Sequence, residues 1–254
     1  MTGLCYPEVP RKGLVAWYSS SALGQSGNGA ASWKSSVGSF VAKATRGSVK
    51  TVTTTGNGAK GYVRMATGTT TAAYSFGNIL TDHYTICSMT RYTGSRKGRI
   101  LTGTKTNWLH GHWSSRAGVA YYGGWLGSHS SRQGLMDWVV LCGTSKTILL
   151  HGKQVASRGN HVSGNQGVVI NTGVHGPSEP SDWGVAEVIT WNRALSTKEM
   201  QDATAYLKNI LSGWSAHSRI HWLSFWGLVP MYVRFRKPVR TCVDLPCNDV
   251  GWRR

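Results

Sequence analysis

The chain has 254 residues, 28 Lys and Arg against 10 Asp and Glu, a net charge of +18, and 32 Gly against seven Pro. That length buries enough apolar surface for one large all-β domain or two small ones without staples, and a glycine excess without proline marks tight turns and excludes a low-complexity chain. The charge favours an anionic partner electrostatically. Between Gly13 and Leu211 it remains 19 basic residues against seven acidic ones, so the basic character belongs to the domain as well as to its tail.

Residues 1–12 read as a short leader. They hold no apolar run after a basic start, so no secretory signal is expected there. Strand patterns follow near Gly13 to Ser19, Tyr62 to Thr67, Ala72 to Phe76, Tyr84 to Tyr92, Arg99 to Thr104, Gly118 to Tyr122, Trp138 to Gly143, Thr147 to Leu150, Gln154 to Ala156, Val168 to Asn171 and Trp183 to Trp191. The segment Gln25 to Gly58 alternates weakly and reads as irregular loops with edge strands.

Arg96, Lys97 and Arg99, in GSRKGRI, form the tight basic cluster of the domain and a candidate site for a sulfate or phosphate. Elsewhere the basic residues are scattered, and a solvated basic surface explains them as readily as a polyanion site does.

Five Cys residues argue against a fully paired disulfide framework. Cys87 in YTICSMT and Cys142 in WVVLCGT each sit within an apolar strand and are expected as buried free thiols. Cys242 and Cys247 in the tail could close a small loop, and no companions mark them as zinc ligands.

Asn107 to Trp125, NWLHGHWSSRAGVAYYGGW, is the most ligand-like stretch. Its candidate ligand-binding residues are Asn107, Trp108, His110, His112, Trp113, Arg116, Tyr121, Tyr122 and Trp125. Sugars present apolar C–H faces and rim hydroxyls, which suit flat aromatic platforms combined with Asn, His and Arg donors on sandwich loops. About half of the five large aromatics are expected in the core, and Trp108 and Trp113 should point to opposite faces of a strand. His110 and His112 share a face at the spacing of a two-histidine metal pair. With no third ligand evident they are expected as hydrogen-bonding groups beside a sugar, and no metal is assigned.

Trp183 to Trp191 alternates Trp183, Val185, Glu187, Ile189 and Trp191 with Gly184, Ala186, Val188 and Thr190, so both faces are largely apolar and the strand lies inside a sheet. Ser196 and Glu199 stand at capping-box spacing, and Met200, Ala203, Leu207, Ile210 and Leu211 follow at helical spacing before Gly213. A short helix is expected near 197–211.

A retaining glycosidase uses two carboxylates about 5–5.5 Å apart, which on a strand means positions i and i+2 or i+4. The domain's acids are Asp82, Asp137, Glu179, Asp182, Glu187, Glu199 and Asp202, and the close candidate pair on a strand, Asp182 and Glu187, is five apart and hence on opposite faces. Glu187 is expected as a buried, hydrogen-bonded carboxylate and Glu199 as a cap. No enzyme is expected.

The opening GLVAWYS (13–19), the hairpin KTILLHGKQVAS (146–157) and EVITWNRALS followed by a helix carrying YL resemble laminin-G-like modules of the concanavalin-A-like lectin/glucanase superfamily. The resemblance covers about Gly13 to Leu211. It implies an all-β, two-sheet antiparallel jelly-roll sandwich with one short C-terminal helix, over residues 13–212, and a place outside the cell or at its surface. It also implies a type I′ turn at His151–Gly152, where the family has Asn-Gly, and calcium as a cofactor through Asp182 or Glu179. Apart from that calcium no cofactor is expected.

The tail, 213–254, carries four of the 12 Trp residues and seven basic residues outside the family pattern. Its apolar stretch from Ile220 to Val233 is interrupted by Pro230 and is too short to span a membrane. An interfacial membrane anchor is one reading, and an extension without a role of its own is the favoured one. The function these observations imply is a non-catalytic, lectin-like recognition or adhesion module for a glycan or glycoprotein, including acidic glycans. The alternatives are a protein-interaction module without a small ligand, and polyanion or nucleic-acid binding by charge. Nucleic acid ranks behind glycan because no RNA-recognition or OB signature is present.

Overall fold

A computed structural model describes residues 8–24 and 30–213. The expectations for Cys5, Cys242, Cys247 and the tail beyond residue 213 lie outside the described residues. In chain order the strands are β1 (Leu14–Tyr18), β2 (Ser32–Lys34), β3 (Val41–Arg46), β4 (Lys50–Gly56), β5 (Ala59–Gly68), β6 (Ala73–Leu80), β7 (Thr85–Lys97), β8 (Leu101–Gly103), β9 (Trp108–Trp113), β10 (Arg116–Tyr122), β11 (Val139–Thr144), β12 (Thr147–Leu150), β13 (Lys153–Ser157), β14 (Gln166–Ile170) and β15 (Ser181–Trp191), followed by the helix α1 (Thr197–Leu211).

The strands form two antiparallel sheets. The first runs β13-β12-β11-β7-β15-β5-β4, with β1 paired to β15, and the second runs β10-β9-β8-β14-β6-β3-β2. This is the two-sheet sandwich with one short helix that the sequence implies.

Strand alternation explains the two cores. Along β7, β11 and β12, Ile86, Tyr92, Val139, Leu141, Ile148 and Leu150 enter a cluster between the sheets, which Tyr18, Trp33, Phe76, Trp108 and Trp183 also fill. Their neighbours Cys87, Met89, Val140, Cys142 and Leu149 enter a second cluster with Met200, Ala203, Leu207 and Leu211 of α1. The central strands are apolar on both faces because one face meets the other sheet and the other meets the helix.

The helix begins where the capping spacing places it. Ser196 Oγ accepts from Glu199 N at 3.2 Å, and Ser196 N donates to Glu199 Oε2 at 2.9 Å. Arg193 adds hydrogen bonds to both Glu199 oxygens, and these, more than the cap, hold the Glu199 carboxyl down to about 2. The β12–β13 turn has φ of 51° at His151 and 86° at Gly152, the two positive values a type I′ turn requires.

Three expectations need correction. Cys87 and Cys142 are not free thiols: they are cross-strand partners in β7 and β11, with Cα atoms 4.0 Å apart, and are joined by a disulfide. Only the pairing of two distant strands sets them opposite. The alternation along β15 does not run unbroken, because a bulge between Val185 and Glu187 shifts the register. Trp183, Val185 and Val188 therefore face the second sheet, while Ala186, Ile189 and Trp191 face the helix. Finally, the segment before residue 58, expected as irregular loops with edge strands, does supply edge strands, β2 and β4 at the margins of the two sheets, but also a regular inner strand, β3.

Candidate functional site: an exposed aromatic cluster on β9 and β10

Alternation along the β9–β10 hairpin divides the nine candidates of the aromatic stretch into two groups. Trp108, His110 and His112 share one face, and Tyr122, the cross-strand partner of Trp108, joins them. All four are buried. Trp108 Nε1 donates to Tyr84 Oη at 3.0 Å, and the rings of Trp108, His110 and Tyr122 stack within 11 to 14° of parallel. His110 Nε2 lies 3.2 Å from the Leu141 carbonyl, which only accepts, so Nε2 carries the proton and Nδ1 accepts from Tyr122 Oη. His112 rests edge-on against Tyr92, with ring centres 4.5 Å apart.

Burial pushes both imidazoles down to about 3, so they stay neutral at ordinary pH. These four side chains are core, and their placement in an open sugar site is corrected. The physical reason is that Tyr84, Tyr92 and Leu141 cover that face of the hairpin.

The opposite face carries the remaining aromatics, each partly exposed. Trp113 and Arg116 are cross-strand partners flanking a turn in which Ser114 and Ser115 have φ of 44° and 60°. The Arg116 guanidinium sits over the Trp113 ring at 4.7 Å. Beyond β10 the chain folds back: Tyr122 N donates to Gly124 O at 3.0 Å, Gly123 takes a φ of 66°, and Trp125 bridges to Tyr121. Only this turn carries Trp125 back to its neighbours. Its ring lies 4.9 Å from Trp113, 5.3 Å from Tyr121 and 5.3 Å from His129.

Glu179 anchors the cluster. It accepts from Trp113 Nε1 at 2.8 Å through Oε1 and from Arg99 Nε through Oε2, while Arg99 also donates to Asn107 Oδ1 at 2.7 Å. Glu179 and His129 were not singled out for this cluster in sequence. Their contacts come from loops distant from the hairpin or folded back upon it, and no spacing rule signals either.

The basic cluster divides in the same way. Arg99 is buried and spent on Glu179 and Asn107, whereas Arg96 is exposed and Lys97 half-buried, with its Nζ 3.3 Å from Ser95 O. Arg99 is therefore not available to join Arg96 and Lys97 around an anion. The acids implied for calcium do not fit that ion. Asp182 accepts backbone N–H bonds from Thr70 at 3.2 Å and Arg96 at 3.0 Å, and both oxygens of Glu179 face N–H donors. A carboxylate so placed meets protons where a cation would need free lone pairs.

No family model matches the chain, and no curated protein matches it. Solved structures do. Domain 4 of AbnA, a GH43 extracellular arabinanase from Geobacillus stearothermophilus in complex with arabinotriose, is 13% identical with a TM-score of 0.54, over 75% of this chain and 98% of that one. Trypanosoma rangeli sialidase in complex with 2,3-difluorosialic acid is 15% identical with a TM-score of 0.55, over 83% of this chain. The match spans 35% of the sialidase chain. At such identity the likeness shows the fold, a β-sandwich shared with domains of carbohydrate-active proteins. It also overturns the expectation that no enzyme is present. That expectation rested on carboxylate spacing along single strands, yet the fold recurs within glycoside hydrolases, so enzyme status is not established.

Proposed function

We propose that residues 13–212 form a carbohydrate-binding domain of laminin-G-like kind, which holds its ligand on Trp113, Tyr121 and Trp125 with Arg116 and His129 as polar neighbours. The observation that carries this reading is the accessible cluster of three large aromatic rings beside a guanidinium. A sugar's C–H face packs on such rings while its rim hydroxyls, or a carboxylate or sulfate, reach the cation. The likeness in fold to an arabinanase domain in complex with arabinotriose supports a sugar as the ligand. Arg116, with Arg96 and Lys97, favours acidic glycans over neutral ones, and the Cys87–Cys142 disulfide favours an oxidising compartment.

A glycan array spanning neutral, sialylated and sulfated sugars at low salt tests the proposal. Binding followed by tryptophan fluorescence is expected to weaken at least tenfold in Trp113→Ala and Trp125→Ala, with a cooperative melt retained in both and a lower Tm in Trp113→Ala, which loses the hydrogen bond to Glu179. No signal from any sugar on the array would remove the reading.

A further inference from the structure

Three polar side chains outside the aromatic cluster converge on one point. Asp82 and His83 lie in the turn between β6 and β7, and His161 lies between β13 and β14. Two backbone hydrogen bonds clamp these segments together, Gly164 N to Asp82 O and Asn165 N to Thr81 O, each 3.1 Å. Within the clamp, His161 Nε2 stands 3.5 Å from Asp82 Oδ1, and His83 Nε2 stands 3.6 Å from Asp82 Oδ2. The two imidazole centres are 4.3 Å apart, and one ligand atom from each residue lies within 4.8 Å of the other two.

We propose that Asp82, His83 and His161 form a binding site for a borderline divalent cation of the zinc class. Donor atoms held tetrahedrally at about 2.0–2.2 Å from zinc stand about 3.4 Å from one another. Each nitrogen-to-oxygen separation, one to each oxygen of the Asp82 carboxylate, is within a few tenths of an ångström of that spacing, so a turn of the carboxylate and the rings brings one oxygen and both nitrogens around the ion. Two imidazoles and one carboxylate select zinc, or a neighbouring transition metal, over calcium and magnesium, which prefer oxygen ligands.

A neighbour supports the same assignment. His161 Nδ1 lies 2.8 Å from Ser145 Oγ, a partner that accepts the ring hydrogen at Nδ1 once an ion replaces the one Nε2 shares with Asp82 Oδ1. The His83, Asp82 and His161 side chains are 65%, 54% and 30% exposed, so a metal held by these three keeps a position open to water or to an oxygen of a bound ligand.

The test uses the full chain, stripped by a chelator and titrated with Zn²⁺ by calorimetry. One equivalent is expected to bind with an affinity that falls at least tenfold in His83→Ala, His161→Ala and Asp82→Asn and is unchanged in His175→Ala, a histidine outside the cluster. The three sites are surface-exposed, so the metal-free variants are expected to melt with the wild type. Substitution by Co²⁺ should give an absorption spectrum of nitrogen and oxygen ligation without a thiolate charge-transfer band. Binding of equal strength in the three variants, a thiolate band, or no binding by the wild type at tenfold excess metal would each overturn the proposal.

Discussion

Glu187 is fully buried in β15, where it accepts hydrogen bonds from Trp17 Nε1 at 3.0 Å and from Ser20 N and Oγ at 2.7 and 2.9 Å. Burial pushes its carboxyl up to about 7, and these donors only partly offset the shift. An acid whose folded pKa exceeds its unfolded value contributes stability that is complete below the unfolded pKa, about 4.5, and is lost as pH rises through the folded one. Between about pH 5 and about pH 8 the wild type should therefore lose on the order of 3 kcal/mol relative to Glu187→Gln. Urea unfolding at both pH values measures it, and a difference that does not change with pH would refute the account. That Glu187 is structural was legible from its place in an apolar strand. The shift was not, because it depends on Trp17 and Ser20, which reach it from about 170 residues away in the chain.

At the scale of elements, legibility followed burial and local signals. The helix was readable because its cap is a local pattern, and Ser196→Ala should cost about 1 kcal/mol in thermal or urea unfolding. Strands β2 to β4 were harder, since residues such as Lys34, Val41, Lys43, Lys50 and Thr53 are exposed and leave little apolar alternation. Backbone pairing of β4 with β5, β3 with β6 and β2 with β3 holds them in place. The disulfide was read the wrong way because it is a property of the β7–β11 pairing. It links residues 55 apart, and its reduction, or the Cys87→Ser, Cys142→Ser double variant, should cost about 2–4 kcal/mol through loop-closure entropy. Melting with and without reductant checks this, and an unchanged Tm would count against a bond in solution.

Across the whole molecule, the charge of +18 is used inwardly as well as outwardly. Arg46, Arg64, Arg132 and Arg158 donate to backbone carbonyls of loops and strands that they tie together, such as Asn171 O, Leu23 O, Gly118 O and Tyr122 O. Binding of a neutral glycan at the aromatic cluster should consequently change by less than about threefold between low and moderate salt, and that of an acidic glycan held by Arg116, Arg96 and Lys97 by roughly twenty- to fortyfold. A polyanion held by six or more charge contacts would lose roughly a thousandfold, with no preference among sugars. The sequence by itself determined the sandwich, the helix with its cap, and that on a strand His110 and His112 share a face while Trp108 and Trp113 oppose, because period-2 alternation and capping are local; the strand β9 and its hairpin with β10 came only from the pairing. Only the tertiary structure decided which face of that hairpin would be covered. Packing against Tyr84, Tyr92 and Leu141 turned Trp108, His110, His112 and Tyr122 into core and left Trp113, Tyr121 and Trp125 as the surface a ligand can reach. The same long-range pairing closed the disulfide and brought Asp82, His83 and His161 together, since contacts between distant segments depend on strand order and register.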